Sequence, residues 1–144
     1  MREFWNGKKV LITGHTGFKG SWLAFWLKTL GAEVRGFALL PGTEPNLFEN
    51  LKLESEIESI IGDIRNLSDF EKVLQDFQPE VLCCTPSYAQ TLAEELHKRG
   101  IPLKALNLKY ALLGAEPWTE TIRKHVQQGL GLQATNIYGL SEII

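Results

Sequence analysis

The chain has 144 residues, of which 44% are hydrophobic and 22% charged, and its formal net charge at pH 7 is −2. This balance is typical of one globular domain and argues against nucleic acid or an anionic membrane surface as a partner. The sequence has no apolar run of ~18 residues that could span a bilayer. It also opens without a signal-peptide pattern, so we expect a cytoplasmic location.

The two cysteines, Cys83 and Cys84, are adjacent within an apolar run. Neighbouring strand residues point to opposite faces, so a disulfide between them would be strained, and we expect two buried thiols in a reducing compartment. The three histidines, His15, His97 and His125, are far apart in sequence and none is near a cysteine. This spacing predicts no metal site.

Short apolar runs alternate with amphipathic segments from the N-terminus onward. The run KKVLIT predicts a first strand, and FKGSWLAFWLKTLG predicts a helix that Gly31 ends. One face of this helix contains apolar residues spaced by four, which we expect to bury: Phe18, Trp22, Trp26 and Leu30. A second strand, EVRGFAL, is followed by a turn-rich connection with one short helix near residues 47–53, and IESIIGD predicts the third strand.

The second half of the chain continues the alternation. A helix in LSDFEKVLQDFQPE has Ser68 and Glu71 in capping-box spacing, and Pro79 ends it. Its apolar face contains Phe70, Val73, Leu74 and Phe77. VLCCT predicts a buried fourth strand, after which Thr85 is the expected N-cap and Pro86 the first residue of a helix that runs to about Gly100. LKYALLGA, WTETIRKHVQQGLG and QATNIYG predict a strand, a helix and a sixth strand.

Six strands that alternate with helices predict an α/β fold. We expect a three-layer, Rossmann-like, doubly wound and mostly parallel six-stranded sheet, because buried parallel strands need helices on both faces. The predicted strand order is 3-2-1-4-5-6, with right-handed crossovers. No linker or repeat interrupts the pattern, so residues 1–144 are predicted to form a single domain.

The segment ITGHTGFKG places three glycines, Gly14, Gly17 and Gly20, between the first strand and the first long helix. In a dinucleotide-binding turn the first glycine makes the tight turn, the second lets the backbone approach a pyrophosphate, and the third lets helix pack on strand. The backbone amides of Phe18 and Lys19 would then donate to phosphate at the helix N-terminus. The alternative is that the glycines only permit a tight strand-to-helix turn.

A ribose-binding carboxylate is expected at the end of the second strand, yet the position falls near Ala38 and none is present. Asp63, after the third strand, could instead hold an adenine amino group, with Ile64 packed on the ring. The alternative is that Asp63 is a polar residue that simply ends a strand.

The segment from about residue 4 to residue 80, including FWNGKKVLITGHTGFKGSWLAFWLKTLGAEVRGFAL and GDIRN, resembles the N-terminal part of CDP-glucose 4,6-dehydratase, an extended short-chain dehydrogenase/reductase. The resemblance implies NAD as the cofactor, and the missing carboxylate near Ala38 looks normal for this subfamily. The implied cofactor-binding residues are Gly14, Gly17, Phe18, Lys19, Gly20, Asp63 and Ile64.

The catalytic Tyr-x-x-x-Lys pair of that family has no match in this sequence. The residues four positions after Tyr88, Tyr110 and Tyr138 are Leu92, Gly114 and Glu142. In the family the lysine lowers the pKa of the tyrosine, which handles a proton. The hydride-transfer machinery is therefore expected to be absent, and we predict no catalytic residue.

The segment 81–144, with VLCCTPSYAQTLAEEL, LGAEPWTETIRKHV and YGLSEI, resembles phenylacetate–CoA ligase, an adenylate-forming enzyme. The resemblance implies that Gly114, Ala115 and Glu116 flank the adenine of ATP, that Tyr138 stacks on it, and that Glu142 approaches magnesium. We expect the phosphate loop and the C-terminal catalytic lysine of that family to be missing.

An alternative reading makes Tyr138 and Trp118 packing residues at a sheet edge and a helix start. On either reading the two resemblances meet near Glu80–Val81, which suggests an engineered chimera of two half-domains, 1–80 and 81–144. The expected function is a scaffold without complete catalytic machinery, and not an enzyme. One alternative is a weak binding module for NAD or another adenine nucleotide, and another is a truncated dehydratase- or ligase-type enzyme. No partner is required, and we expect a monomer with some dimer.

Overall fold

Six β-strands alternate with helices in the computed structural model, which describes residues 1–137. The chain clusters into two compact units, Met1–Pro79 and Glu80–Ile144. The predicted site residues Tyr138 and Glu142 lie outside the described residues. The description of residues 1–144 as a single domain stays a prediction.

The first unit contains three strands and five helices. Their bounds are α1 Arg2–Trp5, β1 Lys9–Thr13, α2 Phe18–Thr29, β2 Glu33–Ala38, α3 Leu47–Asn50, α4 Leu53–Glu56, β3 Glu58–Ile61 and α5 Leu67–Phe77. The connection after β2 thus holds two short helices where the sequence predicted one, and α1 was not predicted.

In the second unit, residues 80–137 contain three strands, two helices and a 3-10 turn. Their bounds are β4 Val81–Cys84, α6 Pro86–Lys98, the 3-10 turn Leu103–Ala105, β5 Tyr110–Gly114, α7 Glu120–Leu130 and β6 Gln133–Ile137. The 3-10 turn was not predicted from the sequence.

The strands lie in the predicted order, β3-β2-β1 in the first unit and β4-β5-β6 in the second. Every pairing within each unit is parallel, with Lys9 opposite Glu33 between β1 and β2 and Val81 opposite Tyr110 between β4 and β5. The α/β, Rossmann-like fold class is therefore confirmed.

Helix α2 buries the face opposite to the predicted one. Its buried residues are Ser21, Ala24 and Leu27, whereas Trp22 and Trp26 are exposed. The start of α2 lies against the turn before it, where a Cβ on Gly20 would lie 2.1 Å from the carbonyl oxygen of Gly14, so the large aromatic side chains of the helix point away from this contact. The expectation that Phe18, Trp22 and Trp26 belong to the core was wrong.

Helix α5 confirms its predicted apolar face, since all four residues of that face are buried. The ring of Phe70 packs edge-on against Phe37 of β2, with centroids 5.4 Å apart. Its start differs from the prediction, because the helix begins at Leu67 with Asn66 as N-cap rather than at a Ser68 cap. The Asn66 amide donates to the Asp69 carboxylate at 2.7 Å, which holds this first turn.

Helix α6 begins as the sequence predicted. Pro86 is its first residue, and the Thr85 side chain accepts a hydrogen bond from the amide of Tyr88. The thiols of Cys83 and Cys84 in β4 are buried, as predicted, and form no disulfide. Burial raises the pKa of Cys83 to about 12 and also raises that of Cys84, so both are held as unreactive thiols near neutral pH.

Candidate nucleotide-binding turn

The turn between β1 and α2 is held open by a glycine in a left-handed conformation. Gly14 follows the last residue of β1 with φ +72°, a conformation that costs little only for glycine. Its amide donates to the Phe37 carbonyl at 3.1 Å, and its carbonyl accepts from the Gly17 amide at 3.1 Å. These bonds tie the turn to β2 and close it on itself.

The other two positions of the turn differ in whether the fold requires glycine there. Gly20 is required by packing, since an added Cβ would lie 2.1 Å from the Gly14 oxygen and 2.9 Å from the His15 Cα. Gly17 is not required in this way, because its Cβ would meet only the Gly14 oxygen, at 3.4 Å, and its φ of −79° suits any residue. Gly17 is exposed, so the fold itself leaves room for a side chain at this position.

The N-terminus of α2 carries amide donors that the helix itself leaves without partners. The Ser21 amide makes the first helical bond, to the Gly17 carbonyl at 2.8 Å. Helix geometry leaves the preceding amides of Phe18, Lys19 and Gly20 without an acceptor in an earlier turn. Gly17 offers no side-chain cap, and the first turn contains no acidic residue. An anion such as phosphate suits this position.

His15 fixes this turn from beneath, a role that the sequence reasoning missed. Its side chain is fully buried. Its Nε2 lies 2.7 Å from the Ser59 hydroxyl of β3, and its ring packs edge-on against Phe48 of α3. Burial lowers its pKa to about 4, so the imidazole is neutral near pH 7. The available signal was Gly36 in the middle of β2, where a Cβ would lie 2.2 Å from the His15 ring.

Two hydroxyl groups fix the same turn to its surroundings. Thr16 donates to the Leu39 carbonyl at 2.8 Å, beyond the end of β2. Ser21 donates from α2 to the His15 carbonyl at 2.9 Å. The turn is therefore anchored to three neighbouring elements before any ligand binds. Such pre-organisation favours binding, because the turn would lose little conformational entropy when a ligand binds.

Asp63 lies in the turn after β3 and is already engaged by its own loop. Its carboxylate accepts from the backbone amide of Arg65 at 2.9 Å and from the Arg65 Nε at 2.9 Å. The hydrogen bonds of Arg65 lower the pKa of Asp63 to about 2, so it is a carboxylate at neutral pH. Its side chain is partly exposed, and the adjacent Ile64 is half-buried.

No carboxylate stands at the end of β2 to take a ribose hydroxyl. Ala38 is buried, and the two residues that follow it are the exposed Leu39 and Leu40. A ligand at this strand end would therefore meet apolar side chains and backbone carbonyls rather than an acidic group.

The turn after β5 in the second unit arranges the ligase-like residues differently from an open nucleotide site. Ala115 follows Gly114 with φ +70°. The Glu116 carboxylate accepts from the Ser87 amide at 3.1 Å and from the Ser87 hydroxyl at 2.9 Å. The chain's own carboxylate thus occupies the N-terminal end of α6, where an anion would otherwise bind.

Residues 1–137 offer neither a metal site nor a membrane span. Within this range no three His, Cys, Asp or Glu side chains converge where they could hold a metal ion. No helix there combines the length and the apolar character that a membrane crossing requires.

Comparison with known proteins gives two sets of partial relatives. The chain is 69% identical over 72 residues to the phenylacetate-coenzyme A ligase of Thermus thermophilus, covering 50% of this chain and 16% of the ligase. It is 49% identical over 81 residues to the CDP-glucose 4,6-dehydratase of Salmonella typhimurium, covering 56% of this chain and 23% of the dehydratase. Both predicted resemblances are confirmed, and the chain spans less than a quarter of each of these two relatives.

Solved structures resemble the chain in fold. A 2-hydroxyisobutyryl-CoA ligase has a TM-score of 0.64 at 18% identity, covering 96% of this chain and 26% of that one. The Bordetella bronchiseptica enzyme WbmH, in complex with NAD+, has a TM-score of 0.60 at 16% identity, covering 91% of this chain and 56% of that one. Residues 10–101 match the NAD dependent epimerase/dehydratase family, a match that passes the proposed junction at Glu80. The chain therefore belongs to the NAD dependent epimerase/dehydratase family.

Proposed function

We propose that this chain is a non-catalytic Rossmann-like module that binds NAD weakly through the turn of Gly14, Gly17 and Gly20. The observation that carries the proposal is Gly17, whose missing Cβ the protein's own packing does not require. The first-turn amides of α2 lie beside it, and the helix dipole favours a pyrophosphate there. When bound, NAD would supply hydride-transfer chemistry.

The residues that would hold NAD are those of the turn together with Asp63 and Ile64. The amides of Phe18 and Lys19 would donate to the pyrophosphate, and the exposed Lys19 ammonium would add positive charge. Asp63 would accept from the adenine amino group while Arg65 holds its carboxylate in place. Without an acidic partner for the ribose after β2, we expect a dissociation constant of about 1 mM, or roughly −4 kcal/mol.

We also propose that the chain does not catalyse the dehydratase reaction. The sequence contains no Tyr-x-x-x-Lys pair, so a bound substrate would meet no matched proton donor of the dehydratase kind. Two partial relatives, each covering about half of the chain, support an origin from a dehydratase-like and a ligase-like segment. That the segments were joined by engineering stays a prediction.

Equilibrium dialysis against NAD tests the proposal with a matched pair of glycine variants. Gly17→Val puts a branched side chain in front of the amide donors, and we expect it to abolish measurable binding while the protein stays folded. Gly42→Val is the control, since an added Cβ there meets nothing within 4 Å and lies outside the turn. We expect it to bind NAD as the parent chain does.

Two outcomes contradict the proposal. One is a parent chain that retains no NAD at several millimolar ligand, and the other is undiminished binding by Gly17→Val. ATP is dialysed in parallel, because retention that survives Gly17→Val and prefers ATP would assign binding to the ligase-like unit instead.

A further inference from the structure

Helix α2 presents four large aromatic side chains to solvent, and these residues are called the aromatic stripe. Its members and their exposed fractions are Phe18 at 69%, Trp22 at 48%, Phe25 at 39% and Trp26 at 53%. The rings of Trp22 and Phe25 contact each other edge-to-face, with centroids 6.2 Å apart. The buried side of α2 is formed by Ser21, Ala24 and Leu27, so the exposed halves of the stripe lie on the other side of the helix.

The stripe is large for the surface of a small protein. Aromatic side chains each bury roughly 150–250 Å² when covered, so four half-exposed ones offer about 300–500 Å². A contiguous apolar patch of this size commonly marks an interaction site. The flanking Lys28 is paired with Glu56 at 2.9 Å, which leaves the C-terminal end of the stripe nearly neutral.

We propose that two copies of this chain associate through the aromatic stripe, with their α2 helices antiparallel about a two-fold axis beside Trp22. Phe18, Trp22 and Trp26 are spaced evenly by four residues, so they form one row along the helix. Reversing such a row superposes it on itself, and one patch can therefore serve as both halves of an isologous interface. In this pairing Phe18 of each copy lies opposite Trp26 of the other.

Charge supports a second copy as the occupant. The antiparallel pairing brings the exposed Lys19 beside Phe18 to the end of the row where Trp26 of the second copy lies, and an ammonium is attracted to an indole face. No acidic residue stands within α2, so no carboxylate is buried without a partner. Because the net charge is only −2, electrostatic repulsion between two copies of the chain is weak.

The available area sets the strength of this association. Stable interfaces cover about 800 Å² on each partner, and the stripe offers about half of that. We therefore expect a reversible dimer with a dissociation constant in the micromolar to millimolar range rather than an obligate one. No step of the inference requires a bound nucleotide, but the dimer and NAD would share Phe18 and Lys19, so the association is measured without NAD.

Sedimentation equilibrium over a concentration series tests the proposal. We expect the parent chain to show a monomer–dimer equilibrium, and Trp22→Gln and Trp26→Gln each to raise the dissociation constant at least about tenfold. Leu40→Gln is the control, since Leu40 is 70% exposed but lies outside α2, and we expect its equilibrium to match the parent chain. Circular dichroism shows whether each variant is folded. If Trp22→Gln does not fold, only Trp26→Gln is compared with the parent chain.

The proposal is overturned if the parent chain stays monomeric at every concentration, or if both folded stripe variants dimerise as the parent does. The antiparallel geometry has its own test, in which Phe18→Cys and Trp26→Cys proteins are mixed with oxidised glutathione. We expect the disulfide that joins one Phe18→Cys protein to one Trp26→Cys protein to form faster than a disulfide between two copies of the same variant. Faster linkage of identical copies would overturn the antiparallel arrangement. The native Cys83 and Cys84 are buried and do not compete.

Discussion

The three glycines of the turn show what single residues contribute to fold and to binding. Their spacing in the sequence predicts a strand-to-helix turn, because each can supply a conformation or an approach that a Cβ forbids. The sequence cannot assign those roles, since the distinction depends on distances across the turn. In the structure Gly14 supplies the left-handed backbone and Gly20 the packing, and neither requirement falls on Gly17.

This division of roles predicts a stability difference between two alanine variants. Gly20→Ala forces a Cβ against the backbone of Gly14 and His15, and we expect it to lower the free energy of unfolding by at least about 2 kcal/mol. Gly42→Ala enters open space and should change it by less than about 0.5 kcal/mol. Urea unfolding measures both, and equal values for the two variants would contradict the assignment of Gly20 to packing.

His15 predicts a loss of stability in mild acid. Its pKa falls from 6.5 in the unfolded chain to about 4 in the fold because burial disfavours the imidazolium. The unfolded chain therefore binds the proton more tightly, so the stabilisation is complete above pH 6.5 and is lost as the pH falls towards 4. A pKa shift of this size corresponds to roughly 3 kcal/mol of unfolding free energy.

Unfolding of the parent chain and of His15→Asn across this pH range measures that effect. We expect the free energy of unfolding of the parent chain to decrease as the pH is lowered. The free energy of unfolding of the variant should change much less. Asp63 does not contribute to this pH dependence, because its pKa is lowered from 3.8 and its effect on stability is therefore confined to lower pH. A variant with the same pH dependence as the parent would show that another group titrates.

At the scale of elements, apolar periodicity predicted α5 well and failed for α2. In α5 the residues of one face, such as Phe70 and Phe77, are both the largest and the buried ones. In α2 the aromatic residues occupy the outer face, and the start of the helix, at Gly20, lies close to the turn at Gly14. Sequence spacing identifies a face but does not decide which neighbour it meets.

The start of α6 carries an element-scale prediction. Thr85→Ala removes the side-chain oxygen that accepts from the Tyr88 amide at 3.4 Å, and we expect a loss of about 1 kcal/mol in unfolding free energy. Thr91→Ala is the matched control within the same helix, since Thr91 is exposed and alanine is the better helix former. Thermal unfolding of both variants is the measurement, and a larger loss for Thr91→Ala would place the helix start elsewhere.

At the scale of the whole molecule, the alternation of strands and helices was enough to predict the fold class and the strand order. The candidate site was predicted only in part. Its glycines are visible in the sequence, but the anchoring of the turn by His15 and Thr16 depends on Ser59 of β3 and on Leu39 in the loop beyond β2. The engagement of Glu116 with Ser87 likewise joins residues far apart in sequence.

The missing catalytic pair predicts that the chain does not turn over the substrate of its dehydratase relative. We expect chromatography of CDP-glucose incubated with this chain and NAD to show unchanged sugar nucleotide, because no tyrosine is followed four residues later by a lysine. The Salmonella dehydratase under the same conditions is the positive control. Formation of a dehydrated product by this chain would contradict the non-catalytic proposal.

NAD bound at the turn of residues 14–20, as we propose, would be visible amide by amide in a two-dimensional NMR spectrum. Spectra are recorded with and without millimolar NAD. We predict dispersed peaks, with shifts concentrated at the amides of Gly14 to Gly20 and of Asp63. Dispersed peaks that stay in place throughout that segment would contradict the claim and would mean that the glycines support the fold alone.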